Sequence, residues 1–207
     1  MKRVYSGLIV LALVAVTGLL AKKSRKPYVE TAPAYRIEGP ADAPITISEF
    51  SDFECPACRA AEGPRKQLLA LYGPKVRFIF KDFPLEHIHP WAKSAAIAAE
   101  CVGEQGKFWE FHDLLYENQD KWVEAKSPPE AIEAYVKSLG LDNAAFKSCL
   151  KDPKTAALIN ADVKEGQERW VSATPTFFIN GKRFIGGLQL SALGPIWIDK
   201  ILAKKHG

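Results

Sequence analysis

The residues best suited to chemistry are Cys55-Pro56-Ala57-Cys58, set where an apolar strand pattern, Ile45 to Phe50, gives way to a helical one, Ala60 to Leu71. Two thiols three positions apart share one face of a forming helix. The first turn also leaves backbone N–H groups unpaired beside the first sulfur, and these favour thiolate over thiol. Cys55 is therefore the expected attacking sulfur and Cys58, one turn deeper, the resolving one. Pro56 suits the first helical position, where its missing N–H costs nothing and its fixed φ fits the helix. Such a pair exchanges disulfides through a mixed-disulfide intermediate.

Two other uses of a CxxC are half a zinc site and a structural bridge. Zinc needs two more ligands, and the remaining cysteines, Cys101 and Cys149, are neither close in sequence nor paired as a second CxxC. The two-residue step from His87 to His89 is not the usual finger spacing. Redox chemistry is the favoured assignment, with no metal and no cofactor.

The elements that must hold the pair follow from periodicity. Ile45, Ile47 and Phe50 begin a buried strand, Pro64 kinks the helix after the CxxC, and residues 76–80 alternate as a second core strand. From Trp91 to Arg169 helix-period apolar residues predict four or five helices and no strand, with Trp91, Phe108, Trp109 and Phe111 as core packing. Strand character returns at Thr176–Ile179, turns at Asn180-Gly181, a strong hairpin signal, and resumes at Arg183–Ile185 before a helix from about Ser191 to Ala203.

The 207 residues suit one domain plus a targeting segment. With 47% hydrophobic and 25% charged residues the body reads as globular. Six basic residues, Lys2, Arg3, Lys22, Lys23, Arg25 and Lys26, flank one apolar run, so the net charge of +4 falls to −2 without them and no nucleic-acid footprint remains. That run, Val4 to Ala21, carries no charge and reads as a signal sequence or, in preference, an uncleaved membrane anchor over 1–21. Basic residues on both sides leave its orientation open, and the cysteine chemistry favours an extracytoplasmic body. A proline-rich linker over 22–43 follows, running into the folded body near Ala34, with the domain over 44–207 and its helical insertion at about 87–170.

Strand, CxxC at a helix start, strand, helical block, Thr174-Pro175-Thr176, hairpin and final helix together resemble the DsbA-type thiol-disulfide oxidoreductases. The carriers are the segments at 53–58, 80–85, 108–109 and 173–177, and the likeness spans roughly Ile45 to Leu202. It implies an α/β thioredoxin fold with a helical insertion between the central strands. It further implies a cis Pro175 facing the active pair, and Thr174 offering backbone hydrogen bonds to an extended client. A random X-Pro bond is cis in only about 5–6% of cases, so the cis expectation comes from the resemblance alone.

The resemblance also places a buried acid at Glu49, near a lysine that Lys81 matches, and a second disulfide at Cys101 and Cys149. Charge in a core strand is costly unless paired or functional, so Glu49 is expected to accept a proton from Cys58, against a salt-bridged strand residue as the alternative. The cysteine pair sits in apolar settings, where two reduced thiols are the alternative. Strongly oxidising relatives often carry histidine between the two cysteines, and here Ala57 stands there, which leaves the direction of electron flow open. The expected partners are unfolded clients and a membrane redox partner. An isomerase or reductant, and a peptide-binding chaperone with a structural disulfide, are the competing functions.

Overall fold

The computed structural model describes residues 31–204. Its sheet contains β1 (Ile37–Glu38), β2 (Ile45–Ser51), β3 (Val76–Asp82), β4 (Thr176–Ile179) and β5 (Lys182–Ile185) in the order β1-β3-β2-β4-β5. The central pair β2 and β3 is parallel and every other pairing is antiparallel. A parallel pair needs a crossover, supplied by α1 (Pro56–Tyr72).

The central strands are covered on both faces, which is why they read as near-continuous apolar runs. Ile45, Ile47, Val76, Phe78, Phe177 and Ile179 pack on one face with Ala61 and Leu68 of α1 and with Leu190 and Ile198 of α8 (Gly186–Lys204). Phe50 and Phe178 turn to the other face, against Phe83, Val171 and Val163 of α7 (Pro153–Glu168). Gly166 makes the approach of α7 possible, since a Cβ there would lie 2.5 Å from the Phe83 ring.

Between β3 and β4 run α2 (Ala92–Gly103), α3 (Phe108–Glu117), α4 (Gln119–Val123), α5 (Pro128–Ser138), α6 (Asn143–Cys149) and α7, with no strand among them. These are six helices rather than four or five; the extra count comes from α4, five residues long, too short for periodicity to declare it. Asp142 and Asp152 cap α6 and α7 by accepting hydrogen bonds from the first-turn N–H groups. Phe108 and Phe111 are buried in the core of this block, with Trp91 and Trp109 packed against it. Cys101 of α2 and Cys149 of α6 form a disulfide. Closing a loop with a sequence separation of 48 residues contributes about 4 kcal/mol on the chain-entropy argument.

From Ala34, near where the folded body was expected to begin, the chain forms a 3-10 turn at Ala34–Arg36 and β1, anchored by buried Arg36, which pairs with Asp82, Asp162 and Glu100. Helix α1 runs through Pro64 to Tyr72, its buried positions 58, 61, 65, 68 and 72 keeping one stripe toward the core. One boundary differs from expectation: helix α8 starts at Gly186, five residues early. Gly186 and Gly187 look like a chain break in sequence, yet Gly187 lets α8 press on α1, a Cβ there lying 3.0 Å from Ala61 Cα. The hairpin is as expected, with Asn180 and Gly181 both at positive φ. No helix of the described residues is long and apolar enough to cross a membrane, and the expected anchor over 1–21 lies outside them.

Candidate active site

Cys55 is the N-cap of α1, in extended backbone, with Pro56 in the first helical positions. Its carbonyl accepts from the N–H groups of Cys58 (3.1 Å) and Arg59 (3.2 Å), closing the first turn. Gln119 of α4 donates its side-chain amide to the carbonyls of Phe53 (2.8 Å) and Cys55 (3.0 Å), bracing the loop from the insertion side. Asp52 accepts from the Glu54 N–H, the Leu85 N–H and His89 Nδ1, so His89 is tied to the approach to the motif. His87 has an exposed place in the same turn.

Both active thiols are free. Cys55 is 6% exposed and Cys58 fully buried, the order expected of an attacking and a resolving sulfur. Their acidities diverge. The Cys58 thiol, donating to the Cys55 sulfur, pulls the Cys55 pKa down to about 6, against the opposing effect of burial and with help from Thr174 and the backbone N–H groups of Cys58 and Ala57. Burial pushes Cys58 well above the ordinary thiol value, and the neighbouring Cys55 adds to it.

Thr174 closes the site from the other side. The Thr174–Pro175 peptide bond is cis, and the Cys55 thiol donates to the Thr174 carbonyl at 3.6 Å. Thr174 and Pro175 lead directly into β4, paired with β2, so the sheet fixes their position relative to the cysteines.

Glu49 lies on β2, 1% exposed. Burial, and then the charge of Glu62, push its carboxyl up to about 8, against the opposing pull of Arg65 and Ser51. Ser51 Oγ donates to Glu49 Oε1 at 2.8 Å and meets the Tyr116 hydroxyl at 3.0 Å. Lys81 is not its partner. In the parallel register Glu49 pairs with Phe80 while Lys81 pairs with Phe50, so strand alternation turns the two side chains to opposite faces. Lys81 Nζ instead holds Asp162 (3.1 Å) and Glu165 (2.9 Å) of α7. The cation nearest in role to Glu49 is Arg65, bound to Glu62 and Glu38 and lying over the Trp109 and Phe78 rings.

The structure thus brings Cys55, Cys58, Thr174, Pro175 and Glu49 together. It adds Ser51, Tyr116, Gln119, Glu62 and Arg65, none of which the sequence analysis named. Ser51 had a local signal, since it stands two residues after Glu49 and shares its face of the strand. Tyr116 and Gln119 had none, being more than 60 residues away from their partners. Among the described residues, Glu62, His112 and Asp113 could bring three metal-ligating atoms together. Arg65 already donates to both oxygens of Glu62, so a cation fills that place. The sulfurs of Cys101 and Cys149 are committed to each other and do not turn to the CxxC.

A family model described as Thioredoxin matches residues 31–199, most of the chain. The chain belongs to the thioredoxin family. Its fold is that of the DsbA-type thiol-disulfide oxidoreductases. The thiol-disulfide exchange protein alpha-DsbA2 of Wolbachia pipientis is 24% identical with a TM-score of 0.67, over 81% of this chain and 85% of that one. BdbD of Bacillus subtilis is 24% identical with a TM-score of 0.68, over 88% and 100%. Among curated sequences the chain is similar to the Na+/H+ antiporter NhaA 3 of Salinispora tropica, 42% identical over 157 residues. It is also similar to the Na+/H+ antiporter NhaA 1 of Mycolicibacterium gilvum, 32% identical over 161 residues. The chain spans about a quarter of the length of these antiporters, 23% and 25%.

Proposed function

We propose that the protein is an extracytoplasmic thiol-disulfide oxidoreductase that passes disulfides to client proteins through Cys55 and Cys58. The observation that carries this is the placement of two free thiols, Cys55 at the N-cap of α1 and Cys58 buried one turn on, beside the cis Thr174–Pro175 bond, an arrangement that pulls the Cys55 pKa down and pushes that of Cys58 up. A client thiolate attacks Cys55 Sγ of the oxidised pair, the Cys55–Cys58 bond breaks, and Cys58 leaves and takes up a proton. A second client thiolate attacks its own sulfur in the mixed disulfide and Cys55 leaves as thiolate. The client loses two electrons and the pair gains them. Thr174 and Pro175 position the extended client segment, and Glu49 serves as the acid–base group for Cys58.

Electron flow from client to protein is favoured over a reductant role by the thiolate. At pH 7 a thiol with a pKa of about 6 is mostly ionised, and a stabilised thiolate favours the dithiol over a pair of ordinary thiols. A membrane redox partner then reoxidises the pair, and the apolar run Val4 to Ala21 keeps the protein at that membrane. The likeness to segments of proteins named as ion antiporters supports a membrane-side placement.

The test is trapping. Cys58→Ser, with Cys55 first capped as a mixed disulfide with glutathione, should exchange that glutathione for the thiol of an unfolded client and accumulate a client mixed disulfide at Cys55, visible on a non-reducing gel and lost with Cys55→Ser. A peptide-binding chaperone predicts instead that both variants protect the client from aggregation like the parent and trap nothing.

A further inference from the structure

The buried resolving thiol poses a physical problem. Cys58 has no exposed surface, so the proton it takes up or gives away in each exchange must come from a neighbour. The Ser51 hydroxyl stands where that transfer has to occur: it contacts the Cys58 sulfur, donates to Glu49 Oε1 at 2.8 Å, and meets Tyr116 at 3.0 Å. Ser51 is itself 1% exposed, on the same strand face as Glu49, and so is held between acid and sulfur by the pleat.

We propose that Ser51 is a catalytic residue that relays the Cys58 proton to and from Glu49. When client thiolate breaks the Cys55–Cys58 bond, Cys58 leaves with the electron pair, the Ser51 hydroxyl gives its hydrogen to the sulfur, and the Glu49 carboxyl replaces it. On reoxidation the same hydrogen bonds run in reverse: Cys58 passes its proton to Ser51 and Ser51 passes one to the Glu49 carboxylate. No atom beyond these three groups is needed for the balance. The inference rests on Glu49 being the acid–base group and adds the atom through which it acts.

The surroundings suit a carboxyl that is protonated part of the time. Glu62, Arg65 and Cys58 of α1 and Tyr116 and His112 of α3 are the titratable and charged groups around this pocket, and burial with the Glu62 charge keeps Glu49 near neutrality. A cleft of about 230 Å³ is lined by residues of α1 and α3, Glu62 and Tyr116 among them, and Tyr116 is the residue of that lining that meets Ser51.

The experiment is the pH profile of single-turnover oxidation of a dithiol peptide by the full-length oxidised protein, in parent, Ser51→Ala, Ser51→Thr and Glu49→Gln. The parent should show a limb with a midpoint near that of Glu49, about 8, where the rate falls as the acid ionises. Ser51→Ala should abolish that limb and slow the reaction at pH 7 by about a hundredfold, the low end of what a positioned proton donor contributes. Ser51→Thr keeps the hydroxyl and should restore the limb. The Cys55 titration, read separately by thiolate absorbance, should stay near 6 in both, as it would not if the site had simply loosened. If Glu49→Gln removes the limb while Ser51→Ala changes the rate less than about twofold, the acid acts directly and the relay is wrong. If neither variant moves the limb, the Glu49 assignment itself fails.

Discussion

The Cys58 thiol is the largest influence lowering the Cys55 pKa, and Cys58→Ala removes it cleanly. A hydrogen bond to a charged group contributes about 1.5–3 kcal/mol, and a thiol is a weak donor at the bottom of that range. At 1.36 kcal/mol per pH unit the Cys55 titration should move up by about one pH unit. It should not return to the ordinary thiol value, because the N–H groups of Ala57 and position 58 and the helix terminus survive the substitution. The assay is thiolate absorbance at 240 nm against pH in the reduced protein, checked by the pH dependence of iodoacetamide alkylation. A parent midpoint near 6 and a variant midpoint near 7 are expected. An unmoved midpoint would refute Cys58 as the donor. A variant at an ordinary value would refute any contribution from the helix terminus.

Further expectations follow from the same geometry. The reduction potential of the pair should fall with pH at about 59 mV per unit below about pH 6, where two protons accompany two electrons, and at about 30 mV per unit above it, where Cys55 stays ionised; potentiometry from pH 5 to 8 would expose a single slope if Cys55 were ordinary. Ala57→His puts a cation at an exposed position in the first turn of α1, and should lower the Cys55 midpoint and make the potential less negative, both absent if the histidine leaves the thiolate unaffected. Removing both Cys101 and Cys149 as alanines should lower unfolding stability by up to about 4 kcal/mol in urea melts while leaving the Cys55 titration in place. Lys81→Met leaves Glu165 and Asp162 short of a buried cation and should cost about 3 kcal/mol, again without moving Cys55, as a lysine serving the active site would.

What the sequence made legible was local. The CxxC at a helix start, the Asn180-Gly181 hairpin and the central strands are each written in a few consecutive residues, and the structure places them as read. The surroundings of Glu49 were less legible because they depend on register. Lys81 is adjacent in pattern, yet one residue of parity sends it to α7, while Arg65, Glu62 and Tyr116 come from two helices whose approach no spacing announces. The start of the folded body near Ala34 was legible, but β1 itself was not, because two residues of edge strand leave no period to detect. The start of α8 was hidden for another reason: Gly187, of a residue type that disfavours helix interiors, here lets α8 lie close against α1.

The most direct test of the central claim is the equilibrium reduction potential of the Cys55–Cys58 pair in the full chain, taken in glutathione buffers with the two states resolved by mass. A disulfide donor with a stabilised Cys55 thiolate should fall between about −120 and −180 mV. A value near about −270 mV, or a pair that never exchanges with glutathione, would contradict it.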